Sequence, residues 1–417
     1  MRNTAGSSNT ATGTDALVFN SGGSNNTATG DNALRNNNAT NNTATGATAL
    51  QANTTGVENN ATGVAALLSN INGIDNTADG FHALEFNVSG SQNTALGSAT
   101  LIKNLASNNT GTGFSALRFN TTGTQNTAAG VGALQSNTTG SFNTASGLGA
   151  LKSNIAGSNN TADGINTLLF ATASSNTAIG GNALQRTTSG SSNTALGFDA
   201  LFFNTTGFNN IAVGNRSGQN LTTGKNNIDI GNLGVTAESG TIRIGTSGAQ
   251  TRTFIAGISG VTLTGGDVVV SSTGQLGIVM SSARFKRDIR DMGGASERLM
   301  KLHPVSFRYK NDPQGTIQYG LVAEEVEQVY PELVTHGADG KVETVRYSVL
   351  TSMLLNELQK QGRKSDGQAR EIESLSAQVA ELKAGQKRQR AAFEDLLATV
   401  GRALAAQNTN GKLASAR

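Results

Sequence analysis

No cysteine or tryptophan occurs anywhere in this sequence, and proline and histidine are each present only three times. Without cysteine there is neither a disulfide framework nor a thiolate metal site. His82, His303 and His336 are scattered, without the spacing of a metal site, so neither a metal nor a cofactor is expected. Charged residues make up 14% of the chain and the net charge is +3. So small a surplus does not point to nucleic acid, and no basic run is interleaved with aromatics. No segment approaches the ~20 apolar residues of a membrane helix. Met1-Arg2-Asn3-Thr4 lacks the apolar core of a signal peptide. The chain starts inside the repeat described next, so an N-terminal anchor is expected to be missing or to lie on another chain.

The few charges are unevenly placed. Of 59 charged residues (31 + 28), 15 fall in 1–220 and 44 in 221–417. The first half is neutral and rich in Asn, Thr, Gly and Ala. This shift in composition marks a domain boundary.

What fills the first half is a repeat. Asn-Thr-Ala-x-Gly or a close variant recurs thirteen times, from Gly13 and Gly30 through to Gly197 and Gly214, at intervals of 16 or 17 residues. Four residues after most of these glycines stands a leucine, as at Leu17, Leu34, Leu50, Leu134 and Leu201. An asparagine often follows three later (Asn20, Asn53, Asn120, Asn204), and a Thr-Gly or Ser-Gly turn closes the unit. One such unit cannot bury a core, but stacked copies can. Seventeen residues are too few for a helix pair and fit one coil of a β-solenoid, or one turn of a β-roll wound by three chains. Leucines in register would fill a narrow interior, glycine would supply positive-φ corners, and asparagine could form amide ladders. A disordered linker of this composition would not keep leucine in register over so many copies. The units resemble, in style, the heads of trimeric autotransporter adhesins and the shafts of phage tail fibres. Sequons such as Asn120-Thr121-Thr122 are expected by chance here.

From 221 to 280 the pattern changes to short alternating segments. Ile228-Asp229-Ile230-Gly231 and Ile242-Arg243-Ile244-Gly245 are near-copies, followed by Thr253–Ala256, Val261–Leu263 and Val268–Val270. Period-two strands between glycines predict a β-prism or further β-roll, whose core no single chain encloses.

Residues 281–347 read as a small α+β unit. Pro304–Tyr309 alternates as a strand does. Leu321–Tyr330 places Val322, Val326 and Val329 on one helical face, and Pro331 stops it. From 348 to 405 the chain is helical, with Ile372, Val379, Phe393 and Val400 in one seam position and Leu375, Leu382, Leu396 and Ala403 in the other. This predicts a coiled coil, with Gln386 and Gln389 as a polar layer that can set register and oligomer number. Residues 406–417 are expected to be a disordered tail.

Ser281-Ser282-Ala283-Arg284-Phe285-Lys286-Arg287-Asp288-Ile289 resembles the opening motif of the intramolecular chaperone, or self-processing, domain that closes many phage tailspikes, endosialidases and tail fibres. The likeness continues through Leu302–Tyr309, Gln318–Val326, Tyr330–Val334 and Leu354–Leu358. The resemblance implies a domain that trimerises, templates the fibre before it and then cuts itself off. It implies Ser281 as nucleophile and Lys286, five residues on, as its base, with Arg284 in an orienting or structural role. Serine needs an adjacent base, and a lysine can serve when burial keeps it neutral. Many members carry Asp directly after the serine. Here Ser282 offers a second hydroxyl.

The sequence therefore predicts a mainly β chain: an elongated β-solenoid shaft (1–220), a short-strand region (221–280), a chaperone domain (281–347) and a coiled-coil helix. It is read as a homotrimeric fibre that meets a surface receptor or glycan, in a virion tail or at a bacterial cell surface. Two alternatives stand beside it: a fibre with polysaccharide depolymerase activity, and an adhesin whose C-terminal cap never cleaves. Depolymerase chemistry needs a carboxylate pair about 5 Å or 6.5–9.5 Å apart. Asp79 and Asp163 share one repeat position, but most copies carry Thr, Ala, Leu or Ser there. Ice binding by a threonine face is disfavoured by the mixed 16- and 17-residue spacing and by the phenylalanines. Glu324, Glu325 and Glu327 read as a solvated helix face.

Overall fold

A computed structural model describes residues 5–256, 258, 267–271, 273–337 and 339–413, with side chains to 407. The chain divides into two units, Met1–Ala256 and Gly257–Arg417. No helix among the described residues is long and apolar enough to cross a membrane.

The first unit is a β-solenoid. Its fifteen three-residue strands, β1 (Thr10–Thr12) to β15 (Ile242–Ile244), form one parallel sheet in sequence order. Like pairs with like: Thr127, Ala128 and Ala129 lie opposite Thr144, Ala145 and Ser146. The middle residue of each strand points inward and its neighbours point out, the period-two alternation of a pleated strand. Inside, most coils contribute the strand alanine and an Ala-Leu pair, such as Ala128, Ala133 and Leu134, all fully buried. No coil encloses this core alone. The stack does.

The backbone between strands is more ordered than glycine corners require. In the coil from Gly130, the amides of Ala133 and Gln135 close tight turns onto the carbonyls of Gly130 and Gly132. Those of Gly132 and Leu134 instead reach adjacent coils, at Phe114 O (3.0 Å) and Ala150 O (2.9 Å). This alternation puts Leu134 at φ 50°, and most core leucines from Leu17 to Leu201 share it. A left-handed residue costs about 1–2 kcal/mol. The inter-coil hydrogen bond and burial of the side chain hold it there.

Two asparagine ladders run through the interior. Asn143 Nδ2 donates to Asn126 Oδ1 (3.1 Å) and Gly157 O (2.9 Å), while its Oδ1 accepts from the Asn160 amide (3.0 Å). In the second ladder, Asn154 Nδ2 donates to Asn137 Oδ1 (2.8 Å). That ladder stops at the next coil, where Ala171 stands, and Asn154 Oδ1 is left without a partner.

The 16-residue coils lose their residue in the turn, not in the strand. Asn20 reaches Gly23 O, three residues on, whereas Asn37 reaches Ala39 O, two residues on. Strand register is kept, with Thr27 opposite Thr43. The mixed spacing therefore leaves the strand face regular.

The solenoid also continues past residue 220. Ile228–Ile230 (β14) and Ile242–Ile244 (β15) pair in parallel with the strand before them, so they are coils of the same stack. The change from Asn-Thr-Ala to Ile-x-Ile alters what the strand shows outside, not its place. Thr253–Ala256 forms no strand, and Val261–Leu263 lies outside the described residues.

Among the described residues, the first strands of the second unit form a hairpin, β16 (Val268–Val270) and β17 (Leu276–Ile278), whose side chains are exposed on both faces. Beyond it, β18 (Val305–Phe307) pairs with β19 (Gln318–Gly320), and β20 (Val334–His336) pairs with β21 (Val342–Val345). Helix α1 (Ala323–Val329) packs its Val326 with Leu299, Tyr330, Leu333, Val345 and Met353. A long helix, α2, runs Tyr347–Leu413. Residues 406–413, expected as a disordered tail, fall within this helix. The seam residues of α2, from Ile372 to Val400, are all exposed in the single chain.

Candidate functional site

Ser281 stands three residues after the end of the exposed hairpin. Ser282 then starts a single 3₁₀ turn, Ala283–Phe285, accepting the Phe285 amide at its carbonyl (3.0 Å), and Lys286 closes the turn on Ala283 O (3.0 Å). The turn folds the chain back on itself. It brings Lys286 Nζ to 3.4 Å from Ser281 Oγ, five residues apart. As drawn, the ammonium donates to the serine oxygen. A general base would need the neutral amine, accepting the serine proton instead. Ser281, Ser282 and Lys286 are all exposed in the single chain. The Ser282 hydroxyl makes no capping hydrogen bond to the turn. Arg284 lies over its neighbour Phe285, 4.7 Å from the ring centroid.

A second constellation, not singled out by sequence reasoning, ties α2 to the chain before it. The buried Ser296 hydroxyl donates to Glu357 Oε1 at 2.6 Å, and Asn356 Nδ2 donates to Gly293 O at 3.1 Å. Lys360 adds an ion pair to Glu357 at 2.9 Å. The Ser296 hydrogen bond and then Lys360 hold the Glu357 carboxyl below its usual range. Asn356-Glu357 lay within the likeness at Leu354–Leu358, but helical spacing alone gives the pair no mark. Their partners, sixty residues earlier, carry no pattern.

The other candidates stay apart. Asp79 on β5 (Thr77–Asp79) and Asp163 on β10 (Thr161–Asp163) are five rungs distant. At about 4.8 Å per rung that is roughly 24 Å, too far for a carboxylate pair. Glu325 is exposed and Glu327 half-buried, and they lie near His303 (3.6 Å) and His336 (2.8 Å) respectively. Among the described residues, no three His, Cys, Asp or Glu side chains gather as a metal site.

Residues 281–335 match the family model of the chaperone of endosialidase. The match opens on Ser281 and ends within β20, leaving β21 and α2 outside it. A β-solenoid of 17-residue coils followed by such a chaperone module fits a protein of the tail-fibre type. No curated protein gives a match to the chain.

Proposed function

We propose that this chain is a homotrimeric structural and adhesive fibre whose chaperone module templates the assembly of three chains and then cuts itself free next to Ser281. The observation that carries the reading is the 3.4 Å contact between Lys286 Nζ and Ser281 Oγ at the start of the matched module. The exposed a/d seam of α2 supports the assembly part, since seven-residue apolar repeats of this kind are buried by other helices. Trimer assembly would also ease a hard folding problem, because non-local strand pairing is slow and three tethered chains raise one another's effective concentration.

In the cleavage step, Ser281 Oγ gives its proton to Lys286 Nζ and attacks the adjoining peptide carbonyl. The C–N bond breaks, the leaving amine takes the proton, and water hydrolyses the ester left on Oγ. Lysine is a base only when burial keeps it neutral, and that burial would come from the other copies. Arg284, stacked on Phe285, would hold the turn. Outside the cell, on a virion tail or a bacterial surface, the solenoid would meet a receptor or glycan.

The test is intact mass by mass spectrometry for the wild-type chain, Ser281→Ala and Lys286→Ala. The expected result is wild type split beside Ser281 and both variants whole at 42.6 kDa. A wild-type chain that stays at full length overturns the cleavage, and the module is then a permanent cap.

A further inference from the structure

The outward face of the solenoid sheet changes character along its length. On strands β1 to β10 its first row is threonine, except for Asn60 on β4 (Asn60–Thr62). The outer third-position row over the same coils is mainly Thr, Ala and Ser, with Asp79 and Asp163 and a single apolar residue, Leu96, among them. From β11 (Thr177–Ile179) onward the third row is apolar without interruption: Ile179, Leu196, Val213, Ile230 and Ile244. The first row follows from β13 (Ile211–Val213), as Ile211, Ile228 and Ile242. All five of the third-row side chains are exposed, Ile244 by 73%.

We infer that this face of β11 to β15 is where the solenoids of three copies of the chain pack against one another, and that the threonine face of β1 to β10 is not. The inference rests on the trimeric reading above and names the surface it uses in the shaft. A parallel in-register sheet offers the same residue at the same height in each copy, so three chains held in parallel by a seam meet like with like. Apolar rows gain from that meeting. Hydroxyl rows lose water without gaining partners. At Asp79 and Asp163, three carboxylates would be driven together, which is unfavourable. Asp163 lies on β10, the coil just before the apolar row begins, so charge sets the boundary.

The patch is also the wrong size to act alone. Five rungs by three residues cover about 24 Å by 10 Å, or roughly 240 Å². A stable contact needs about 800 Å² per partner. The face would hold only while another element keeps the copies together, which suits the seam of α2 in the uncut chain and makes the contact part of assembly, before the cut beside Ser281. A second apolar row, on the corner after the repeat glycine (Phe114, Val131, Leu148, Ile165), is the rival surface. It is interrupted by Ser98 and Gly181 and ends before the last coils.

The chain has no cysteine, so single cysteines report contacts cleanly. Val213→Cys and Ile230→Cys, each in the full chain kept whole by Ser281→Ala and under mild oxidation, are expected to give disulfide-linked pairs. Thr45→Cys and Val131→Cys are expected to give none. The double variant Val213→Asp/Ile230→Asp should keep the native mass of three chains while its shaft melts at a lower temperature than wild type. A native mass of three chains with no link at Val213 or Ile230 overturns this inference and leaves the trimer standing. Links at Val131 instead place the contact on the corner, and links at Thr45 extend it along the whole shaft. Either outcome also overturns it. A native mass of one chain removes the trimeric reading and this inference with it.

Discussion

The Ser296 hydroxyl donates a hydrogen bond to the Glu357 carboxylate across 61 residues of sequence, and this 2.6 Å contact fastens the start of α2 to the turn at Gly293–Ser296. Because Glu357 titrates below its usual 4.5 in the folded state, its contribution is present above that value and is lost as pH falls through the folded pKa. Ser296→Ala and Glu357→Gln should each lower the melting temperature at pH 7, and the double variant should lose less than the two losses added. Melts from pH 3 to pH 7 check this. Wild type and Glu357→Gln should converge at the acid end, and parallel curves would refute the assignment.

Asp229 behaves in the opposite sense. It occupies the strand position filled by alanine in most coils, is 1% exposed, and neither carboxylate oxygen has a partner. Burial, then the charge of Glu238, pushes its carboxyl up to about 6, against a smaller opposing pull from Arg243. The folded state thus holds a proton that the unfolded chain has released between about pH 4 and 6. Stability should fall as pH rises through that window, by roughly 3 kcal/mol in all. Asp229→Asn should remove that slope. Circular-dichroism melts of both chains at pH 4, 5, 6 and 7 test it, and an unchanged slope in the variant would sink the claim.

Two glycines two residues apart should respond differently to alanine. Gly130 has φ 138°, and a Cβ there would lie 2.5 Å from the Gly147 carbonyl oxygen, a backbone atom that cannot move aside. Gly132 has φ 67° with nothing closer than 3.8 Å, and Ala65 and Ala99 hold the same position in other coils. Gly130→Ala should cost several kcal/mol, on the order of strain plus overpacking. Gly132→Ala should stay within ~1 kcal/mol of wild type. Urea unfolding of the two variants side by side gives the answer.

The broken asparagine ladder offers a gain as well as a loss. Asn143→Ala removes the donor that meets Asn126 and Gly157 and the acceptor that Asn160 uses, and should cost about 1–3 kcal/mol. Ala171→Asn should do the reverse. Asn37 fits the equivalent place in another 16-residue coil, with Nδ2 on Asn20 Oδ1 at 3.3 Å and Ala39 O at 2.9 Å. In Ala171→Asn the same geometry would supply the donor that Asn154 Oδ1 lacks. An increase of about 1 kcal/mol is expected by urea unfolding, and a loss would mean the site cannot hold the side chain.

Much of the shaft was legible because its signal is periodic. Leu34, Asn37 and Gly46 recur at fixed offsets, and only stacked coils can use that regularity. Less legible was how the chain bends, since the left-handed backbone at Leu134 follows from hydrogen bonding between coils that no single repeat displays. The last coils were legible only as a β-prism or further β-roll, for another reason. Ile228-Asp229-Ile230 keeps the alternation but loses the Asn-Thr-Ala lettering, so a change in what faces outward reads as a change of fold. At the candidate site, the Ser281 to Lys286 spacing was local and visible. The Ser296 to Glu357 link was not, because long-range pairs leave no periodic trace.

The position of the missing residue in the 16-residue coils has one more consequence. Each coil meets only the coil above and the coil below, and its one irregularity is absorbed in an outer turn. A whole coil could be duplicated or deleted between two existing ones without altering the partners of any coil beyond the cut. Such a shaft works as a ruler graduated in steps of about 4.8 Å, whose reach can be reset by unequal recombination within the gene while the C-terminal module stays the same.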